Sequence, residues 1–261
     1  MQKLAGIKGL VAVAAVAAAV PATLTPTAAV AQSAPIKNVV LVHGACADGS
    51  GWQGVHEVLS KRGFAVSVVQ NPLTSLEADV TATSRVLARQ DGPAILVGHS
   101  YGGVVITEAG KADNVAALVY VAAFVPDAGE SLLAMIEGGA PPPLQPSDDG
   151  FLFFDPAVFG GAFAGDLSKE QAAFLTDSQV PVAAAAFGAP VTEPAWKAKP
   201  TWQLIATDDH IIPPEAQRHW AERAGATIVE VGGSHAVIIS QPEAVADLIE
   251  EAAKGAASAT N

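Results

Sequence analysis

Short apolar segments alternate with longer amphipathic segments along most of the chain, and this alternation constrains the fold more than any other feature of the sequence. The short segments are apolar at consecutive positions, which predicts strands that are buried on both faces. Buried strands that alternate with helices are typical of a parallel sheet covered by helices on both sides. The sequence therefore predicts an α/β fold, in which ligands bind beyond the carboxyl ends of the strands.

The predicted elements follow each other with one long interruption. The predicted strands are residues 38–42, 64–69, 94–97, 115–121, 201–206 and 227–231. The predicted helices are residues 52–61, 76–89, 103–111, 214–223 and 242–254. Residues 32–125 and 201–261 are accordingly assigned to the sheet domain.

The interruption, residues 126–200, is rich in proline and phenylalanine. A structureless loop of this length is uncommon in a compact domain, so the segment is predicted to be a small, mainly helical cap inserted into the sheet domain. Its clearest helix covers residues 168–176, with Ser168 as the N-cap and Gln171 three residues later. Most of its aromatic side chains should hold the cap to the body and a few should line a pocket. These side chains are Phe151, Phe153, Phe154, Phe159, Phe163, Phe174 and Phe187.

The first 31 residues have the layout of a secretory signal peptide. Lys3 and Lys8 precede an almost unbroken apolar run, and Ala29-Val30-Ala31 provides a cleavage site of small residues. The apolar run is too short to span a bilayer comfortably, so no stable membrane insertion is expected after cleavage. The prediction is a secreted or periplasmic protein that is cleaved after Ala31.

The charge and the cysteine content exclude several classes of function. The formal net charge is −12, and without a basic patch the chain is not expected to bind nucleic acid. Cys46 is the only cysteine, so no internal disulfide can form even in an oxidising compartment. No histidine–carboxylate cluster has the spacing of metal ligands, so neither a metal nor an organic cofactor is expected. The sequence leaves the oligomeric state open.

The segment Gly98-His99-Ser100-Tyr101-Gly102 places a G-x-S-x-G turn between a predicted buried strand and a predicted helix. This context is that of a nucleophile elbow, a strained turn from which the serine hydroxyl projects. Gly98 and Gly102 have no Cβ, so neighbouring chain segments can pass close to Ser100. The backbone amide of Tyr101, at the start of the helix, would point towards an oxyanion formed beside Ser100.

A nucleophilic serine needs a base, and the base needs a third group to hold it. His235 is favoured as the base, because Gly232-Gly233-Ser234-His235 follows the last strand at the same sheet edge as Ser100. His43 and His99 are predicted either to pack or to support the active site from behind, and His56 and His219 are predicted to be exposed to solvent. His210 is a weak candidate for the base.

The acid is expected in the loop after the strand 201–206, where Asp208 and Asp209 are adjacent and the residue pattern does not decide between them. The glycine-rich loop that begins at His43 can aim the backbone amide of Ala45 at the Ser100 hydroxyl as a second oxyanion donor. Cys46 is not favoured as a nucleophile because it has no elbow and a small buried thiol is common.

The chain resembles the α/β-hydrolases, and more narrowly the branch that contains plant methylesterases, hydroxynitrile lyases and bacterial carboxylesterases. The matching motifs are His43-Gly44-Ala45-Cys46, Gly98-His99-Ser100-Tyr101-Gly102-Gly103, Thr207-Asp208-Asp209-His210-Ile211-Ile212-Pro213, Gln217-Arg218 and Ser234-His235-Ala236. In that family the acid lies four residues before the proline, which implies Asp209, and the second oxyanion amide falls on Ala45. Ala236 stands where the lyases carry a lysine, which does not favour lyase chemistry.

These features predict a serine hydrolase that cleaves carboxylic esters through an acyl-enzyme intermediate. The phenylalanine-rich cap favours small to medium apolar or aromatic esters. The same triad would serve a lactonase, an amidase or a perhydrolase. A further alternative from another class is a small-molecule receptor with residual hydrolase activity.

Overall fold

The computed structural model describes residues 35–137 and 142–259. The predicted signal peptide, residues 1–31, lies outside the described residues. In the described ranges, no helix is both long enough and apolar enough to cross a membrane.

The described residues form nine strands and ten α-helices. The strands are β1 (Asn38–Val42), β2 (Ala65–Val69), β3 (Ala94–His99), β4 (Val115–Val121), β5 (Leu144–Pro146), β6 (Phe151–Phe154), β7 (Val182–Ala183), β8 (Thr201–Ala206) and β9 (Thr227–Val231). The helices are α1 (Gln53–Lys61), α2 (Leu76–Leu87), α3 (Gly102–Ala109), α4 (Leu132–Ile136), α5 (Pro156–Ala162), α6 (Lys169–Asp177), α7 (Ala184–Gly188), α8 (Pro214–Arg223), α9 (Val237–Ser240) and α10 (Pro242–Ala259).

The larger sheet has the strand order β2-β1-β3-β4-β8-β9, and every neighbouring pair is parallel. Successive side chains of a strand point to opposite faces. Leu96 accordingly belongs to the core on one side of the sheet, whereas Ile95 and Val97 belong to the core on the other side. The α/β architecture that the sequence predicts is therefore confirmed.

Most predicted boundaries agree with the structure. The bounds of β4, β8, α8 and β9 are those predicted from the sequence. Strand β3 continues two residues beyond its predicted end, to His99, because the chain stays extended until the turn at Ser100. Helix α10 is longer than predicted and ends at Ala259.

The segment between β4 and β8 carries α4 to α7, as the sequence predicts for a mainly helical insertion, and helix α6 begins with the predicted capping box of Ser168 and Gln171. It also contains the antiparallel sheet β5-β6-β7, which the sequence analysis did not predict. Its phenylalanines differ in burial, and Phe151 is half-buried. Phe154, Phe159, Phe163 and Phe187 are buried, whereas Phe153 and Phe174 are exposed and do not hold the insertion to the body.

Candidate active site

Ser100 lies on a strained turn between β3 and α3. Its φ angle of +55° lies in the left-handed region, which is costly for a residue with a side chain. The turn is tight on both sides: a Cβ on Gly98 would lie 2.5 Å from the carbonyl oxygen of Gly102, and one on Gly102 would lie 2.6 Å from that of Val42. Glycine at these two positions thus allows the close approach that the motif predicts.

The structure brings Ser100, His235 and Asp209 together. The Nε2 atom of His235 lies 2.9 Å from the hydroxyl oxygen of Ser100, and Nδ1 lies 2.8 Å from Oδ2 of Asp209. The carboxylate accepts a hydrogen bond from Nδ1–H, so Nε2 carries no proton and can accept a hydrogen bond from the serine hydroxyl. The imidazole and the carboxylate are buried, so this chain of hydrogen bonds is shielded from water.

The two adjacent aspartates have different roles. Oδ1 of Asp209 accepts hydrogen bonds from the backbone amides of Ile211 and Ile212 at 2.8 and 2.9 Å. Asp208 is exposed, and its carboxylate accepts a hydrogen bond from the backbone amide of Gly233 at 3.1 Å. Asp209 therefore contacts the imidazole of His235, whereas Asp208 only stabilises the loop that carries His235.

A further buried side chain reaches Asp209, and it belongs to the motif Gln217-Arg218, to which the sequence analysis assigned no role. The amide nitrogen of Gln217 on α8 donates to Oδ2 of Asp209 at 2.9 Å. Gln217 shares the buried face of α8 with Trp220 and Ala221, at positions i, i+3 and i+4. A polar residue at a core position of an amphipathic helix is the sequence signal that indicates such a role.

Ala45 and Tyr101 line the same cavity as Ser100. In the part of the chain that the structure describes, neither of their backbone amides donates a hydrogen bond. Both are therefore available to an oxyanion that forms beside the serine. A Cβ on Gly44 would lie 2.8 Å from Cβ of Ser100, so only glycine lets the first loop approach so closely.

His43 holds in place the first loop, which is the glycine-rich loop after β1 that contains Gly44 and Ala45. Its Nε2 atom accepts a hydrogen bond from the backbone amide of Asn71 at 2.9 Å, so the proton is on Nδ1, which donates to the carbonyl oxygen of Gly44 at 2.9 Å. Burial lowers the pKa of His43, which keeps the ring neutral. Of the two roles that the sequence predicts for His43, packing or support of the active site, the structure shows a buried ring that supports the loop by hydrogen bonds.

The Tyr101 side chain anchors the start of α3. Its hydroxyl donates to Oδ2 of Asp79 at 2.8 Å, and Oδ1 of Asp79 accepts from the backbone amide of Leu73 at 2.8 Å. Both side chains are completely buried. Burial raises the pKa of Asp79, although the hydrogen bonds from Tyr101 and Leu73 act in the opposite direction.

His99 supports the loop that carries the candidate base. Its Nε2 atom donates to the carbonyl oxygen of His235 at 2.8 Å. Burial, reinforced by the nearby His235, lowers the pKa of His99 to about 3. His99 is therefore a neutral donor that positions the backbone of residue 235.

The insertion also contacts this loop. The Phe163 ring packs edge-on against the imidazole of His235, with 4.9 Å between ring centroids, and its carbonyl oxygen accepts from the amide of Ala236 at 2.9 Å. The Asp166 carboxylate accepts hydrogen bonds from both the backbone amide, at 3.0 Å, and the hydroxyl of Ser234. The position of the imidazole thus depends on the insertion as well as on the sheet.

A cavity of about 270 Å³ opens onto Ser100 and His235. Most of the described residues that line it are apolar, and none of them is a lysine or an arginine. Its aromatic lining residues are Tyr101, Phe124, Phe154, Phe163, Phe187 and Trp220. Cys46 also lines it, but burial raises the pKa of the thiol to about 11, so the sulfur is protonated near neutral pH and is a poor nucleophile.

The remaining histidines lie away from the triad. His56 and His219 are exposed on α1 and α8, as predicted. His210 borders the cavity but makes no hydrogen bond to Ser100 or Asp209. Within the described ranges, no group of three or more histidine, cysteine, aspartate or glutamate side chains is placed to hold a metal ion.

Comparison with known proteins gives a family match over most of the chain. A model described as the Alpha/beta hydrolase family matches residues 39–248. A carbendazim hydrolyzing esterase from Nocardioides sp. (strain SG-4G) is 36% identical over 121 residues, which cover 40% of this chain and 49% of the relative. The aligned part therefore spans about half the length of that relative.

Two other proteins match over more of their length. A pyrethroid hydrolase from Sphingobium wenxiniae is 28% identical over 249 residues, which cover 83% of this chain and 87% of that protein. The crystal structure of a methylesterase from Arabidopsis superposes with a TM-score of 0.70 at 20% identity, covering 84% of this chain and 100% of that one. At this identity the structural likeness concerns the fold alone.

Proposed function

The chain belongs to the alpha/beta hydrolase family, and from this premise we propose that it is a serine carboxylesterase. The observation that carries the proposal is the chain of hydrogen bonds from Ser100 through His235 to Asp209, at 2.9 and 2.8 Å, beside an apolar cavity. This arrangement can activate a hydroxyl for attack on a carbonyl carbon.

In the acylation step, the Ser100 oxygen attacks the ester carbonyl carbon while Nε2 of His235 takes the hydroxyl proton. The Asp209 carboxylate stabilises the imidazolium that forms. The amides of Ala45 and Tyr101 bind the oxyanion, and each such donor lowers the barrier by about 3 kcal/mol. Collapse of the tetrahedral intermediate expels the alkoxide, which leaves as an alcohol with the proton of His235.

In the deacylation step, water replaces the alcohol. His235 takes a proton from the water as its oxygen attacks the acyl carbon, and the same two amides bind the second oxyanion. When this intermediate collapses, the bond to the Ser100 oxygen breaks and His235 returns its proton to that oxygen. The products are a carboxylic acid and the free enzyme.

The cavity supports small to medium apolar or aromatic esters as substrates. Its volume of about 270 Å³ is small for a ligand site, and its lining is mainly aliphatic and aromatic. Phe154, Phe163 and Phe187 from the insertion supply part of that lining, so the insertion contributes to substrate choice. The relatives named as a carbendazim hydrolyzing esterase and as a pyrethroid hydrolase support ester hydrolysis as the activity.

The proposal can be tested with p-nitrophenyl esters of graded acyl length. We expect hydrolysis of the acetate and butyrate esters, and loss of turnover in Ser100→Ala. Ser50→Ala is the matched control, because Ser50 is exposed and makes no contact with the triad. Turnover by Ser100→Ala equal to that of the unmodified chain would reject the assignment.

A fluorophosphonate label and a wider panel separate the alternative functions. Labelling of Ser100 together with turnover of esters, but not of matched lactones, amides or peroxide, supports the esterase. Labelling without turnover of any of these compounds would instead indicate a small-molecule receptor.

We also propose that the protein is exported and that residues 1–31 are removed. Expression with the complete N-terminus in a bacterial host, followed by mass spectrometry of the exported fraction, tests this proposal. A product that begins at Gln32 is expected, whereas retention of Met1 to Ala31 in cytosolic protein would contradict export.

A further inference from the structure

Gln217 is completely buried beneath the loop that carries Asp209. Its amide nitrogen donates to Oδ2 of Asp209 at 2.9 Å and to the carbonyl oxygen of Ile212 at 2.7 Å. Neither acceptor can donate a hydrogen bond, so the nitrogen rather than the oxygen of the amide must face them. Both amide hydrogens of Gln217 are therefore committed to this loop.

The amide of Gln217 and the imidazole of His235 share one oxygen. Oδ2 of Asp209 accepts from Nδ1 of His235 at 2.8 Å and from Gln217, whereas Oδ1 is occupied by two backbone amides. The Gln217 amide thus restrains rotation of the carboxylate and keeps Oδ2 directed at the imidazole. It also withdraws charge from Oδ2, which moderates how strongly the carboxylate stabilises a protonated imidazole.

The other end of the Gln217 side chain argues against a role in packing alone. Its carbonyl oxygen is buried and has no hydrogen-bond partner within the described residues. A buried carbonyl without a partner costs free energy, which an apolar side chain of similar shape would not incur. The bond to Asp209 is the feature of this glutamine that methionine would not reproduce.

We propose that Gln217 is a positioning residue that acts through Asp209 to hold His235 in line with Ser100. The inference rests on the proposed esterase function and extends it to a fourth side chain. Gln217 touches neither the reacting atoms nor the cavity, so its effect on the rate is transmitted by the carboxylate.

Among the described residues, few titratable groups lie close to the imidazole of His235. His235 is faced by Asp209 and by His99 from β3, and His99 is neutral because burial lowers its pKa to about 3. Asp166 accepts a hydrogen bond from the backbone amide of Ser234, and Asp208 accepts one from that of Gly233. A substitution of Gln217 removes the hydrogen bond from Gln217 to Asp209 and leaves all of these groups in place.

The test compares Gln217→Met with Gln203→Met. Gln203 on β8 is also completely buried, but its amide donates to the backbone carbonyl of Gln217 at 3.3 Å and not to Asp209. In Gln217→Met we expect kcat to fall about 10- to 100-fold, as is typical when the partner that orients a functional group is removed, and KM to change by less than about threefold. The acid limb of the kcat/KM profile should move to higher pH, because more charge stays on Oδ2. Gln203→Met should show neither change.

A double-mutant cycle tests whether the effect passes through Asp209. In an Asp209→Asn background, Gln217→Met should lower kcat by less than about threefold, because the group it acts on is already altered. Effects that multiply in the double variant would overturn the proposal. So would an acid limb that does not move, or an equal loss in Gln203→Met.

Two further outcomes are distinguishable. If the unmodified chain labels with a fluorophosphonate but hydrolyses no ester, the proposed function fails, and the labelling rate of Ser100 still judges Gln217 by the same 10- to 100-fold criterion. If Gln217→Met and Gln217→Leu both fail to fold while Gln203→Met folds, as judged by circular dichroism, Gln217 is a structural residue and the proposal is overturned.

Discussion

The buried pair of Tyr101 and Asp79 predicts a loss of stability that depends on pH. The substitution Tyr101→Phe removes the hydroxyl that donates to Oδ2 of Asp79 at 2.8 Å and leaves the ring in place. A hydrogen bond to a charged group contributes about 1.5–3 kcal/mol. A change of 1 kcal/mol shifts Tm by about 2–4 °C in a chain of this size, so the expected decrease is about 3–12 °C near pH 8.

The sign of the pH dependence follows from the direction of the Asp79 pKa. Burial raises the pKa of Asp79 and the bond from Tyr101 lowers it, so Tyr101→Phe raises this pKa further. The folded variant then binds the Asp79 proton more tightly than the unfolded chain does. The loss of stability has its full value above the folded-state pKa of Asp79 in the variant, and it decreases as the pH falls through that pKa. Thermal unfolding near pH 8 and at a pH below the folded-state pKa of Asp79 should therefore give a smaller difference from the unmodified chain at the lower pH.

Tyr120→Phe is the matched control. Tyr120 is equally buried, but its hydroxyl pairs with the neutral hydroxyl of Thr107 at 2.8 Å. We expect a loss of about 0.5–1.5 kcal/mol, with the same value at both pH values. A loss in Tyr101→Phe that is independent of pH, or one that follows the Tyr120→Phe control, would refute an ionised Asp79 beneath Tyr101.

Three further predictions concern the active-site region. Asp209→Asn should lower kcat for p-nitrophenyl butyrate by about 10⁴-fold, as in other serine triads, whereas Asp208→Asn should stay within about threefold, and equal losses would contradict the assignment of the acid. Cys46 should not react with a thiol reagent in the native chain near pH 8, because it is buried and its pKa is about 11; rapid labelling before unfolding would show the thiol to be accessible. Gly102→Ala places a Cβ 2.6 Å from a backbone carbonyl of β1 and should lower the free energy of unfolding in urea by at least about 1–3 kcal/mol. In the control Gly92→Ala, the added Cβ makes only an ordinary contact at 3.6 Å. Equal unfolding midpoints of the two variants would refute the clash.

Local sequence patterns determined the sheet, most of the helices and the position of the serine. The strand at residues 115–121 was predictable because its burial on both faces requires apolar residues at consecutive positions. The turn at Ser100 was predictable because the strain at its φ angle and the close approaches at Gly98 and Gly102 demand glycine at set distances from the serine. The family model that matches residues 39–248 confirms the resemblance found in these motifs.

Features of the insertion were less accessible to the sequence. The strands β5, β6 and β7 are two to four residues long, which is too short for an alternating pattern to emerge. Phe153 and Phe174 are exposed, although an apolar aromatic side chain suggests burial. Whether an aromatic side chain of this segment is buried depends on which face of a short element meets the body.

The sequence by itself determined which short segments are strands, where the chain turns sharply and which residue types can supply a triad, because these properties depend on neighbours within a few positions. The residue pattern left Asp208 and Asp209 open and the family resemblance implied Asp209, whose contact with the imidazole the tertiary structure shows. Only the tertiary structure decided that Gln217 holds the carboxylate of Asp209. It also decided that Asp166 binds Ser234, although 68 positions separate them. Such contacts arise from the packing of distant elements, and packing is a property of the whole chain rather than of any local pattern.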